Sequence, residues 1–415
     1  MQSMISTPDV WVGIDWGDTS HSTCIINADG KILSSFDVPH NSDKIDEMIR
    51  TIKSCGNVLG VCVETNHGLL VLKLLEANLV VYVVNPKLSD QWRKACSVSE
   101  SKSDGQDSFI LAEGLRLYNS RLHPLQPDDE NTRELQGFCH LEVKLIQERT
   151  TEVERLLAAL KEYHPDILAW FSSWTCQSAW DFVQAFPTPK DLRKASTKKL
   201  MGFLKTHRMR LTAEWQQRMN ERTSLPSWPE DPAAIHVQTH TALAAVSKLK
   251  VIEKSIKEVR KHIDELFEKH PDADVFDSLP GAGKKLRARL LAAFGSNRER
   301  FKSAEDVQKI VGVVPVTRKS GNSCKISLRH ACRKEDRHTF YLHAFNSISR
   351  CQWARAFYDK CRSAGDSHSL SLRKLGSKWA KIIFAMWSTK QRYNDRKYME
   401  SLVKQGSPLV ESLNF

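Results

Sequence analysis

The sequence predicts a multidomain α/β plus α protein. An α/β N-terminal domain is expected over 1–128, a central helical and coiled-coil region with an inserted module over 129–270, and a mainly helical, basic C-terminal domain over 271–415. Three observations predict this. The 415-residue chain is too long for one ordinary core. Short apolar runs of strand length alternate with helical spacing only within residues 10–120. The charge is lopsided: of a net +12, residues 271–415 hold 28 Lys and Arg against 13 Asp and Glu, which leaves 1–270 slightly acidic.

Residues 11–17 form a short, mostly apolar strand, and 22–28 a second. Asp29-Gly30 predicts a type I′ hairpin turn, with positive φ at both positions, and 31–38 returns as a third strand. The continuous apolar run of 58–64 ends in Glu64 and reads as a buried strand. A helix over 69–77, a buried strand over 80–84 stopped by Asn85-Pro86, and a helix over 103–117 follow. A hairpin meander followed by strand, helix and strand resembles the ribonuclease H fold.

Residues 130–163 predict a long helix. The stretch 165–240 is irregular and rich in Trp170, Trp174, Trp180, Trp215, Trp228 and prolines, including Pro226, as expected of a small inserted helical module. Leu249, Ile252, Ile256, Val259, Ile263 and Leu266 alternate three and four apart, the seam of a coiled coil. That seam serves either packing inside the subunit or a dimer contact. Beyond Pro280-Gly281-Ala282-Gly283, helices are expected over 284–294, 303–312, 336–363 and 368–390, with an extended Gly-bearing segment at 313–329 between the second and third.

No run of about 18 apolar residues exists, so no membrane span is expected. The N-terminal residues lack a basic start followed by an apolar run, so no signal peptide is expected. The ten cysteines include no CxxC pair, which points to a reducing cytoplasm and away from a disulfide framework or zinc knuckle. The basic C-terminal third calls for a polyanion, since Lys and Arg neutralise phosphates and release counterions.

Four acids fall where chemistry can use them. Asp15 sits in the middle of the first strand, Glu64 ends the next buried strand, and Asp104 and Asp107 lie three apart on one face of a predicted helix. Two-metal phosphoryl transfer needs carboxylates from separate elements to hold divalent ions. A buried Asp on a strand is costly unless neutralised. The plainer readings are a solvated Glu64, an N-cap at Asp104 and an exposed helix acid at Asp107.

With its segments Val12-Gly13-Ile14-Asp15, Val63-Glu64-Thr65, Val84-Asn85-Pro86 and Lys102-Ser103-Asp104-Gly105-Gln106-Asp107, the chain resembles the DEDD transposases of the insertion-sequence 110 family. Their first domain is similar to the RuvC Holliday-junction resolvases. The resemblance implies that Asp15, Glu64, Asp104 and Asp107 bind Mg²⁺. The family's C-terminal domain is matched by Leu279-Pro280-Gly281-Ala282-Gly283, by Val311-Gly312-Val313-Val314-Pro315 and by Lys319-Ser320-Gly321. It implies that Ser320 is the nucleophile that attacks DNA, that an element-encoded bridge RNA guides the reaction, and that the enzyme works as a dimer or tetramer.

From the residues alone, Ser320-Gly321-Asn322 also reads as an ordinary turn, with Ser323 and Ser327 as competing hydroxyls. Arg318, Lys319, Lys325, Arg329 and Arg333 surround it as phosphate contacts, and Lys284 and Lys285 join them behind a Gly-rich turn that is not a P-loop. Three rival functions remain: a structure-selective nuclease using water, a sugar-kinase-like ATPase suggested by Gly13-Ile14-Asp15-Trp16-Gly17, and a module that only binds DNA. The ATPase lacks a second phosphate loop. The expected site of action is the cytoplasm of a bacterial or archaeal cell, at the nucleoid.

Overall fold

The computed structural model describes residues 8–96, 104–223, 231–321, 323–407 and 409. Lys102, Ser103, Pro226, Trp228 and Asn322 lie outside the described residues, as does the side chain of Asp104. The chain divides into two compact units, one ending at Pro127 and the other beginning at Asp128.

The first unit is built on a five-stranded mixed sheet in the order β3-β2-β1-β4-β5. β1 (Asp9–Trp16), β2 (Ser20–Asn27) and β3 (Ile32–Pro39) form an antiparallel meander. β4 (Asn57–Val63) and β5 (Val81–Val83) add in parallel beside β1. The β2–β3 turn is not type I′. Gly30 has φ +78° but Asp29 stays out of the left-handed region. The Gly30 amide bonds the Asn27 carbonyl, and the Asn27 side chain accepts from the Asp29 and Lys31 amides, so one glycine closes a type I turn with a bulge.

Side chains alternate across the sheet, and each face has its own cover. Val10, Val12, Ile14, Val61 and Val63 face two helices, α1 (Ser42–Ser54) and α2 (Leu69–Glu76). Trp11, Cys24, Ile26 and Cys62 face the other pair, α3 (Pro86–Cys96) and α4 (Asp104–Tyr118). Helices α1 and α3 are additions to the expected order. α1 is capped by Asn41 and buries Ile45, Met48, Ile49 and Ile52. α3 starts at the Asn85-Pro86 pair read as a strand stop: the Asn85 side chain accepts from the Lys87 amide, and Pro86 needs no donor at the first helical position.

Gly13 sets how closely α4 approaches the sheet. A Cβ there would lie 2.0 Å from the Ser108 carbonyl oxygen and 2.5 Å from the Ala112 nitrogen, both backbone atoms that cannot step aside. Gly13→Ala is therefore expected to cost about 3 kcal/mol or more, as severe overpacking does. The check is a lower urea midpoint in the full-length chain.

The second unit opens with α5 (Glu130–Tyr163), followed by four short helices: α6 (Gln177–Ala185), α7 (Pro189–Lys194), α8 (Thr197–Thr206) and α9 (Ala213–Glu221). The chain returns through α10 (Pro232–Lys269), which runs antiparallel to α5: Glu142 meets Arg260, and Arg149 meets Glu253. The expected seam is filled from within the chain. Leu249, Ile256, Val259 and Ile263 are buried, while Ile252 and Leu266 are half-buried. The tryptophan-rich insertion closes its own core of Trp170, Trp174, Trp180, Phe182 and Trp215 against one end of this helix pair.

At the other end a second core gathers α11 (Ala273–Asp277), α12 (Gly283–Phe294), α13 (Ala304–Ile310), α14 (Lys334–Ser347), α15 (Gln352–Ser363), α16 (His368–Thr389) and α17 (Asp395–Lys404). The single helix expected over 336–363 is two, α14 and α15, and α17 is a further addition. Trp353, Trp379 and Trp387 are buried there. The expected extended segment is a two-stranded hairpin, β6 (Val316–Ser320) and β7 (Ser323–Ser327).

Glu142 of α5 ties this unit together. It is 2% exposed and accepts from Arg260 of α10 at 2.6 Å and from Arg289 of α12 at 2.5 Å. Burial would raise its pKa, but the two guanidiniums outweigh burial and hold it below the usual carboxylate range. Its contribution is thus present above that range and lost as pH falls through the depressed value. Glu142→Ala leaves two partly buried cations uncompensated, and a loss of about 3 kcal/mol is expected in denaturant unfolding at neutral pH.

Candidate active site

The face of the first unit's sheet that carries Trp11, Gly13 and Asp15 on β1 also carries Ser22 on β2 and Cys62 on β4. Glu64 is the next residue after β4, and the same alternation puts it on this face. The parallel register pairs Ile14 with Val63, so Asp15 and Glu64 follow side by side at the ends of neighbouring strands. Burial first, then the nearby Glu64 charge, push the Cys62 thiol up to about 12, as expected of side chains sharing one face. Asp15 is half-buried rather than buried, and has a polar partner.

α4 crosses this face. The Ser108 hydroxyl lies 3.4 Å from that of Ser22, the residue paired with Asp15. The first turn of α4, with Asp104 and Asp107, therefore lies toward the same strand ends. Sequence reasoning missed what holds the acids in place. Ser89 of α3 donates to Glu64, and Arg93, one turn later, donates through Nε to Asp107 Oδ1 at 2.8 Å. Among the described residues, no three metal-ligating side chains are gathered as a ready cage, and the side chain of Asp104 is not among them. The donor set is nonetheless all carboxylate oxygen on adjacent elements, the chemistry of a hard divalent ion.

The second unit carries the hydroxyl candidates. In the β6–β7 hairpin, Ser320 pairs with Ser323, Lys319 with Cys324 and Arg318 with Lys325. Directly paired residues share a face, and successive pairs alternate. Ser320, Ser323, Arg318 and Lys325 therefore share one face. Lys319, the preceding residue, lies on the other face. Among the described residues of the hairpin, the Ser320 face carries no carboxylate or imidazole. Gly321 opens the turn with φ +55°.

Arg329 donates to the Pro315 carbonyl at 3.5 Å, at the base of the hairpin, and Arg333 lies 3.8 Å from Asp336. Lys284 and Lys285 are exposed at the start of α12. The turn before them requires glycine at Gly281, where φ is +79° and a Cβ would touch the backbone of Asn346 and Ser347. Among the described residues, Arg318, Lys319, Lys325, Lys284 and Lys285 form no ion pair with a carboxylate. A phosphate arriving there would meet cations with no carboxylate partner among the described residues.

Two family models match the chain. One, described as a transposase of the DEDD type, covers residues 12–165, and the other, of the IS116/IS110/IS902 transposase family, covers 273–359. The chain belongs to the IS110 family of transposases. The transposase is 26% identical over 404 residues to the mini-circle protein for IS117 of Streptomyces coelicolor, covering 95% of this chain and 98% of that protein. It is 26% identical to the 42 kDa protein of insertion element IS900 of Mycobacterium paratuberculosis, covering 91% and 95%. It is 25% identical to the 43.6 kDa protein of IS110 itself from Streptomyces coelicolor, covering 95% and 98%. The transposase is an enzyme that acts on DNA. Among its described residues no helix is long and apolar enough to cross a membrane.

Proposed function

We propose that this transposase moves an insertion sequence by Mg²⁺-dependent strand exchange through a covalent serine–DNA intermediate, with a RuvC-like first domain. Asp15, Glu64, Asp104 and Asp107 are the residues that would hold the ions. Bound there, a divalent ion would neutralise the phosphate oxygens as charge builds on them and ease loss of the serine proton. The Ser320 Oγ attacks phosphorus, the bond to the departing 3′ oxygen breaks, and that oxygen leaves as a hydroxyl. A 3′-OH from another strand then attacks the phosphoserine and releases the serine. One phosphodiester bond is exchanged for another, so no nucleotide cofactor is needed.

The observation that carries this reading is that Asp15 and Glu64 follow the paired Ile14 and Val63 on one sheet face, the face that α4 crosses. The hairpin supports it with unneutralised cations on the Ser320 face. The acids and the serine must act on one phosphodiester, supplied by one chain or by two copies, so a dimer or tetramer is part of the proposal. Bridge RNA as guide is part of it too. Base pairing would then choose the sequence while Arg318, Lys325, Lys284, Lys285, Arg329 and Arg333 hold backbones. The second reading is a RuvC-like endonuclease that uses the same acids with water.

The test is to incubate the full-length protein with labelled donor and target DNA, candidate RNA and Mg²⁺, and then denature it. A labelled band that survives denaturant, with DNA attached to the hairpin peptide by mass spectrometry, is the expected result. Cleavage with no such band would establish the endonuclease.

A further inference from the structure

Two of the four acids are held by one short helix. α3 presents Ser89 and Arg93 four residues apart, hence on one face. Ser89 is 2% exposed, and its hydroxyl donates to Glu64. The Arg93 side chain, 16% exposed, donates to Asp107, which is 20% exposed. Each anchor engages one oxygen of its carboxylate, so the other oxygen of the pair can still ligate. The two acids belong to different elements, the end of β4 and the first turn of α4, and α3 is the element that touches both.

α3 is itself locked. Its Trp92 sits against Gly114 of α4, where a Cβ would fall 2.1 Å from the indole ring, and stacks on Tyr118 at 5.8 Å with an interplanar angle of 8°. Arg93 is further held by Asp90 on its own helix, at 3.3 Å. A frame fixed on α4 thereby sets the separation of a strand-end acid from a helix acid.

We propose that Ser89 and Arg93 are positioning residues that set the ion affinity of the acidic site by fixing Glu64 and Asp107. This rests on the reading of those acids as divalent-ion ligands. Groups that orient metal ligands typically change affinity or activity by about 10- to 100-fold when removed.

The test uses the full-length protein and Mn²⁺ as probe, with binding followed by the electron paramagnetic resonance of the free ion. Ser89→Ala is expected to weaken Mn²⁺ binding by about 10- to 100-fold. The Mg²⁺ concentration for half-maximal DNA cleavage should rise in parallel, and the maximal rate should return when Mg²⁺ is in excess. Ser89→Thr, which keeps the donor, should stay near wild type. Ser89→Cys keeps the volume but is a poor donor, and should behave like Ser89→Ala should the alanine variant fold badly by urea titration.

Arg93→Gln gives a result whose sign decides. Loss of position weakens Mn²⁺ binding. Loss of a nearby positive charge alone would tighten it, and tightening would overturn the role of Arg93. Wild-type Mn²⁺ affinity in both Ser89→Ala and Ser89→Cys, with Asp15→Asn losing the ion, would overturn the role of Ser89 and leave the acidic site standing. If Asp15→Asn and Glu64→Gln bind Mn²⁺ as wild type does, the reading of the acids fails, and this inference with it.

Discussion

Replacing Ser320 by alanine is expected to eliminate the denaturant-resistant protein–DNA species and to lower strand exchange by at least about a thousandfold, the scale on which removal of a covalent nucleophile acts. The fold should be unaffected, because Ser320 is exposed on a hairpin face and buries nothing. The comparison that gives this force is Ser323→Ala. Ser323 pairs directly with Ser320 and shares its face, so it is the other hydroxyl the hairpin offers to the same phosphate. Loss of the adduct in Ser323→Ala but not in Ser320→Ala would move the nucleophile across the hairpin. Undiminished cutting in both variants would hand the reaction to water.

Asp15→Asn is the second large effect. It keeps the shape of the side chain and removes its charge, so ion binding and cleavage should both collapse, cleavage by about a thousandfold or more. Stability should hold, because Asn keeps the shape of the side chain and Asp15 is only half-buried. A urea midpoint near wild type, alongside an inactive enzyme, is the expected pair of results. A variant that unfolds early would instead make Asp15 a structural residue.

β1, β2 and β4 were legible because each buries an apolar run, and β3 because Asp29-Gly30 marks a turn before it. Glu64 was expected at the end of its strand and lies just beyond it, whereas Asp15, expected in mid-strand, sits one residue from the end of β1. α1 was legible in principle, since Ile45, Met48, Ile49 and Ile52 follow a helical period behind an Asn41 cap. α3 was not. It buries only Ser89 and Trp92, so its periodicity is faint, and its polar residues face acids rather than a core. The break between α14 and α15 has no glycine or proline to mark it. It falls where Gly281 packs close to the backbone of Asn346 and Ser347, a tertiary contact that no local pattern announces. The hairpin read only as extended chain because nearly every residue in it is exposed and no apolar alternation exists to reveal the pairing.

That exposure has a price in order. A lone two-stranded ribbon with no covered face is near the limit of what holds together in water. On the proposed reading, Ser320 would be delivered on a support expected to gain rigidity when a polyanion settles against Arg318 and Lys325. A nucleophile mounted this way would be poorly aimed until its substrate arrived. The cell's other DNA would then be spared less by a guarded pocket than by the looseness of the arm that carries the serine.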